Sequence, residues 1–253
     1  MLFRYLVASL ILTPSFATAT APIKQIQVVT YELSPFIKED LPDGGPAISA
    51  LRKLFLKQGY ELKVSFAPVV RAKKQAVERP EVVAFFPSES ENVPKDFILS
   101  RTLHKSPWVM AESKEHPVSW KNYSDLTKYK IGNVVGYELA GVLKPLQEKK
   151  LLNIEETNSD EQNLMKVAKN RIDLAFIDTT VFRKLMQTSD KLEPYKDKLQ
   201  LNPRPLQVYQ YAIAFRNNPE GKEVLRSFNA SFSESEFLAS VESYLKKHKA
   251  LLP

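Results

Sequence analysis

The sequence predicts an α/β protein built as two lobes. Three observations carry this: a β-α-β-α-β order in the first 60 mature residues, a renewed alternation after residue 130, and a helical tail beyond a strong strand at residues 207–215. At 253 residues, the chain suits one large domain or two smaller ones, either of which can bury a core without covalent staples.

The elements follow in order. Residues 1–19 are expected to be a cleavable signal peptide. Arg4 gives a cationic start, Tyr5 to Leu12 an apolar run, and Ala17-Thr18-Ala19 a small-x-small cleavage pattern. The apolar run is well short of the roughly 20 residues a membrane span needs. Ile26 to Tyr31 is β-branched and aromatic, hence a strand. Pro42-Asp43-Gly44-Gly45 turns the chain, Pro46 opens a helix and Gly59 closes it. Glu61 to Ala67 reads as a strand, Val69 to Glu78 as a helix, Val82 to Phe86 as a strand, and Pro87 to Pro94 as a loop. Trp108 to Glu112 is a further strand. The second alternation is strand Lys130 to Val135, turn Gly136-Tyr137, helix Leu139 to Gln147, strand Asn153 to Thr157, helix Asp160 to Asn170, strand Leu174 to Ile177 and helix Thr180 to Met186. Gln207 to Phe215 is a strong strand, and residues 219–248 form two helices separated near Ser233.

Composition excludes several chemistries. Cysteine is absent, removing disulfides, thiolate nucleophiles and thiolate-bound zinc. The three histidines, His104, His116 and His248, form no local ligand pair, and no metal or cofactor is expected. Seven glycines supply no phosphate-binding loop. The net charge of +7, or +6 after loss of residues 1–19, comes from scattered lysine doublets rather than a basic stripe. No nucleic-acid partner is expected, and the balance mildly favours an anionic small ligand.

Several segments, in the right order, resemble the family 3 (amino-acid-type) solute-binding proteins, which have the type II periplasmic binding protein fold. Tyr31 to Phe36 resembles the first strand and its aromatic-Pro ligand loop. Pro68-Val69-Val70-Arg71-Ala72 resembles a P-W-x-R-A segment with Val69 for Trp, and Phe97 to Leu103 resembles F-S-x-P-[YL]. Lys130 to Tyr137 resembles the IGvv.G opening of the second lobe. Arg171 to Asp178 resembles G-x-x-D-a-x-x-x-D, with Asn170 for Gly. The resemblance implies two hinge strands near Met110–Ser113 and Tyr209–Ala214, with lobe one at 24–111 plus 213–253 and lobe two at 112–212. With the signal peptide and the lack of a recognisable catalytic set, it leads to the expectation of an exported, periplasmic, monomeric and non-catalytic protein. Such a protein would bind a small polar, amino-acid-like or anionic solute and hand it to an inner-membrane ABC permease or a membrane sensor.

The candidate ligand-binding residues are Tyr31, Phe36, Arg71, Ser88, Trp108, Gly136, Tyr137, Asp178 and Tyr209. Arg71 could hold an anion or make a structural ion pair. Asp178 could meet a ligand amine, cap the following helix, or both. Gly136 and Tyr137 offer backbone N–H groups at a turn. Tyr31, Phe36 and Trp108 would line an aromatic pocket or pack in the core, and Ser88 offers a hydroxyl or simply makes a turn. Of Tyr209 and Tyr211, one is expected to face the cleft. The chain departs from the family at Phe86 to Val93, where the carboxylate-binding Arg has no counterpart. Two alternatives stand beside this reading. One is a cyclohexadienyl-type dehydratase on the same fold, using Glu89, Glu91 or Glu138 as acid; the other is a ligand-free sensor-interaction module whose cleft is filled by its own side chains.

Overall fold

The computed structural model describes residues 23–90 and 93–251. The expected signal peptide lies outside the described residues. Among the described residues no helix is long and apolar enough to cross a membrane.

The first half contains β1 (Lys24–Thr30), α1 (Pro46–Leu56), β2 (Tyr60–Phe66), α2 (Val69–Glu78), β3 (Val82–Glu89) and the short β4 (Phe97–Leu99). The long strand β5 (His104–Ser113) leads to the second half: β6 (Lys130–Val134), α3 (Lys144–Glu148), β7 (Asn153–Thr157), α4 (Asp160–Ala168), β8 (Leu174–Asp178), α5 (Thr179–Thr188) and β9 (Leu199–Leu201). A second long strand, β10 (Gln207–Arg216), returns to the first half, followed by α6 (Pro219–Ser231) and α7 (Glu234–Lys247).

The strand order is β2-β1-β3-β10-β5-β8-β6-β7, with β4 on β10 and β9 on β5. Each half is thus three parallel strands closed by one antiparallel long strand: β10 for the first, β5 for the second. The two long strands pair with each other where Trp108 to His104 faces Gln207 to Tyr211. Beyond Trp108, β5 pairs with β8 and β9, so the exchange of partners falls ahead of the expected Met110–Ser113. Two crossings of one chain therefore join two α/β halves.

The helical tail belongs to the first half. Phe228 stacks on Phe55 of α1 at 5.3 Å between centroids and on Phe232 at 5.1 Å. Ser233 separates α6 from α7 as a cap, its hydroxyl accepting the Glu236 N–H. Two expectations are corrected. The segment expected to loop from Pro87 continues β3 to Glu89, because β10 offers partners: Ser88 lies opposite Ala212 and Glu89 opposite Tyr211. The helix expected from Leu139 is a turn at Gly141–Leu143 and the five-residue α3. Pro145 suits only the first turn of a helix, so Leu139 and Ala140 are buried before it in non-helical chain.

Candidate functional site

Parallel strands of both halves end at the boundary between them. In such sheets the carboxyl ends of strands are where ligands are met. Tyr31 and Leu33 follow β1, Glu89 ends β3, and Gly136, Tyr137 and Glu138 follow β6. Val69 and Lys73 come from the start of α2, and Trp108, Tyr209 and Tyr211 from the crossing strands. Together these eleven residues enclose a space of about 20 Å³, close to the smallest that admits a water molecule. Beside it lies an open groove of about 640 Å³, lined from the first half by Glu32, Lys38 and Phe66 to Val70. The second half contributes Val134, Val135, Asn158 to Glu161, Leu185 and Lys191. Val69 and Tyr137 line both spaces and form the partition.

The enclosed space is built from directed polar contacts among aromatic rings. The Trp108 indole N–H donates to the Tyr211 hydroxyl at 2.7 Å, and that hydroxyl donates to Asp178 Oδ2 at 3.1 Å. Tyr137 and Tyr209 meet the Trp108 ring edge-on, at 5.6 and 5.5 Å. Tyr31 is hydrogen-bonded to Glu89. Burial, and then the negative charge of nearby carboxylates, pushes the phenols of Tyr31, Tyr137 and Tyr211 well above their ordinary range. They remain neutral donors at any physiological pH.

Asp178 accepts the backbone N–H groups of Thr180 and Val181 at 2.7 and 3.1 Å and the Ser106 hydroxyl at 2.8 Å, in addition to Tyr211. Of its expected roles, the structure displays the cap. It lines neither space.

Asp160 opens α4 behind the Ser159 cap and lines the groove. It is buried, receives the Tyr137 hydroxyl at 3.4 Å on Oδ2, and leaves Oδ1 without a hydrogen-bond partner. Burial, reinforced by the charge of Asp178, raises its pKa to about 7.

The two halves touch at Gly136, which has φ +86°. A Cβ there would lie 2.9 Å from Val69 Cβ and 3.0 Å from Val70 Cγ2, so only glycine allows α2 to sit this close to the turn after β6. Lys73 of α2 also pairs with Glu138 at 3.3 Å.

Of the expected residues, Tyr31, Trp108, Gly136, Tyr137 and Tyr209 line the enclosed space. Tyr211 joins them, because residues two apart on a strand share a face; the expectation that one of the pair faces the cleft is corrected. Arg71 is exposed and off the wall. Val69 and Lys73, four apart, share the cleft face of α2, and Arg71 lies between them on another. Phe36 packs against the cores of both halves rather than lining either space. Ser88 is fully buried, its hydroxyl without a partner, and lies behind the wall. The Tyr137 N–H is taken by the Val134 carbonyl at 2.9 Å, so it is not offered to a ligand. Glu89 and Glu138 are on the wall, while Glu91 lies outside the described residues. Asp160, Leu33, Val69 and Lys73 were not foreseen as site residues.

No family model and no curated protein sequence matches the chain. Solved structures do. The GluR0 ligand-binding core from Nostoc punctiforme, in complex with L-glutamate, superimposes with a TM-score of 0.68 at 18% identity, over 87% of this chain and 98% of that one. An arginine transport-system periplasmic binding protein from Legionella pneumophila gives 0.64 at 16% identity, covering 87% and 99%. The VFT2 domain of Bordetella pertussis BvgS gives 0.63 at 16% identity, covering 87% and 93%.

The fold is that of the two-lobe type II periplasmic binding proteins. In this chain β5 and β10 are the two strands that pass between the halves, and the enclosed space and its adjoining groove lie where the halves meet.

Proposed function

We propose that the chain is an exported solute-binding protein. Its lobes, 24–111 plus 213–253 and 112–212, close on a small polar molecule and present it to an inner-membrane permease or a membrane sensor. The observation that carries this reading is the origin of the cleft wall. Tyr31 and Glu89 come from one half, Tyr137 and Glu138 from the other, and Trp108, Tyr209 and Tyr211 from the strands joining them. A wall assembled from both halves and the connecting strands changes shape when the halves move, which couples occupancy to closure. The amino-terminal cleavage pattern supports export, and the transport-system neighbour supports the transport role. The wall carries no assembled nucleophile and base, and we read the protein as non-catalytic.

The test is a thermal-shift screen of amino acids, amines, organic acids and peptides, followed by small-angle scattering on every responder. A solute that is bound raises the midpoint with concentration and changes the scattering profile. One observation favours a second reading, a sensor-interaction module that needs no solute: four tyrosines and Trp108 already fill the enclosed space. Silence across the whole screen, with unchanged scattering, would favour that module and end the capture reading.

A further inference from the structure

The described cleft has aromatic rings and a buried acid but no arginine on either wall. Its three wall lysines already hold carboxylates: Lys73 with Glu138 at 3.3 Å, Lys38 with Asp40 at 2.6 Å, and Lys191 with Glu161 at 2.8 Å. An anionic solute would have to break one of these pairs. Asp160 is the opposite case. Only 6% exposed, it has one oxygen that accepts no hydrogen bond, and among the described residues no cationic side chain is paired with it. A buried carboxyl of this kind is stabilised by a positive charge brought to it. The Tyr137 ring beside it adds a face that attracts cations, and Phe66, Val69, Val70, Val134, Val135 and Leu185 give the groove an apolar floor.

We infer that the solute is a small organic cation without a carboxylate, a protonated amine or a quaternary ammonium. Its head sits at Asp160 Oδ1, beside the Tyr137 ring, and its body lies in the groove. This rests on the solute-capture reading and names the substrate class for it. The apolar floor of the groove suits the body of an organic molecule. The net positive charge of the whole chain pointed the other way; the sign of the local wall decides.

The experiment compares matched pairs by thermal shift and calorimetry: agmatine with arginine, cadaverine with lysine, tyramine with tyrosine, and choline with glycine betaine. At least one carboxylate-free member should bind about tenfold or more tighter than its partner, and Asp160→Asn should weaken it by about tenfold or more, as expected for a lost charge-assisted contact. Should that variant fail to fold, the pH dependence of choline binding to the unaltered protein tests the role of Asp160 instead. The titratable groups that act on or with Asp160 are Tyr137, Tyr31 and Asp178, with Glu32, Lys38, Glu39, Glu161 and Lys191 along the groove. Affinity for a non-titrating cation should rise between about pH 5.5 and about pH 8 as Asp160 ionises. If arginine, lysine or an organic anion binds more tightly than every carboxylate-free cation, the inference falls and solute capture stands. If no probe of any charge binds, both fall together.

Discussion

The enclosed space and the groove beside it share Val69 and Tyr137, yet they differ in what they leave unfinished. Around the enclosed space the polar contacts run in a chain, from Trp108 to Tyr211 to Asp178, with Asp178 taking four donors. Little volume remains there. The groove has volume, and its deepest charged group, Asp160, has half its accepting capacity unused. The difference suggests a division that can be tested: the satisfied network ties the crossing strands to β8, and the carboxyl with an unpartnered oxygen is the place proposed above for a solute.

The sharpest way to break this division is Asp178→Ala. It strips the acceptor from Ser106, Tyr211 and two backbone N–H groups, three of the four contacts being buried and that from Thr180 part-buried. The expected destabilisation is about 3 kcal/mol or more, read as a lowered denaturant midpoint. A loss below about 1 kcal/mol would mean that the network carries no such weight.

Asp160→Asn should act in the reverse sense. The pKa of Asp160 is raised from 3.8 to about 7, so the folded protein keeps a proton that the unfolded chain releases near pH 4. The stability linked to this group is complete below about pH 4 and is lost as the pH rises towards and through about 7. Removing the charge should stabilise the protein at about pH 8, on the order of 2 kcal/mol, and change little at about pH 4. A variant that is more stable but binds no solute would mark a charge kept for function. An equal effect at both pH values would remove titration from the explanation.

Gly136→Ala probes the contact between halves rather than either space. The added methyl group meets Val69 and Val70, and its backbone has φ +86°. A destabilisation of about 1–2 kcal/mol is expected, with a larger radius of gyration as α2 is displaced from the turn. Unchanged scattering would show that the halves do not depend on this contact.

How much of this could be read in the sequence follows from how local each cause is. α2 was legible from Val69 to Glu78, and the break between α6 and α7 at Ser233, because caps and apolar spacing are written in neighbouring residues. The last residues of β3 were not, because Ser88 and Glu89 are held extended by Ala212 and Tyr211, more than 120 positions away. The short α3 was missed although Pro145, which suits only a first helical turn, was a local signal against a helix running from Leu139. In the candidate site, Tyr31, Gly136 and Tyr137 were legible from the turns that follow strands, and Trp108 and Tyr209 from their places on the two long strands. The choice between Arg71 and Lys73 depended on helix phase. Asp160 was hidden by an ordinary explanation, since acids are common in the first turn of a helix; its place after β7, at the same edge as the other strand ends, was the available signal.

The smallest effect is expected at the rim. Lys73 and Glu138 span the two halves at 3.3 Å, but their side chains are 28% and 42% exposed. Solvent and salt screen such a pair, and its contribution should be about 0.2–1 kcal/mol. A double-mutant cycle with Lys73→Ala and Glu138→Ala should give a coupling within that range that shrinks as salt is added. A coupling well above it would mean that the ion pair, and not the buried aromatic network, latches the cleft. The contrast between finished cavity and unfinished groove would then have to be redrawn with the latch at the surface.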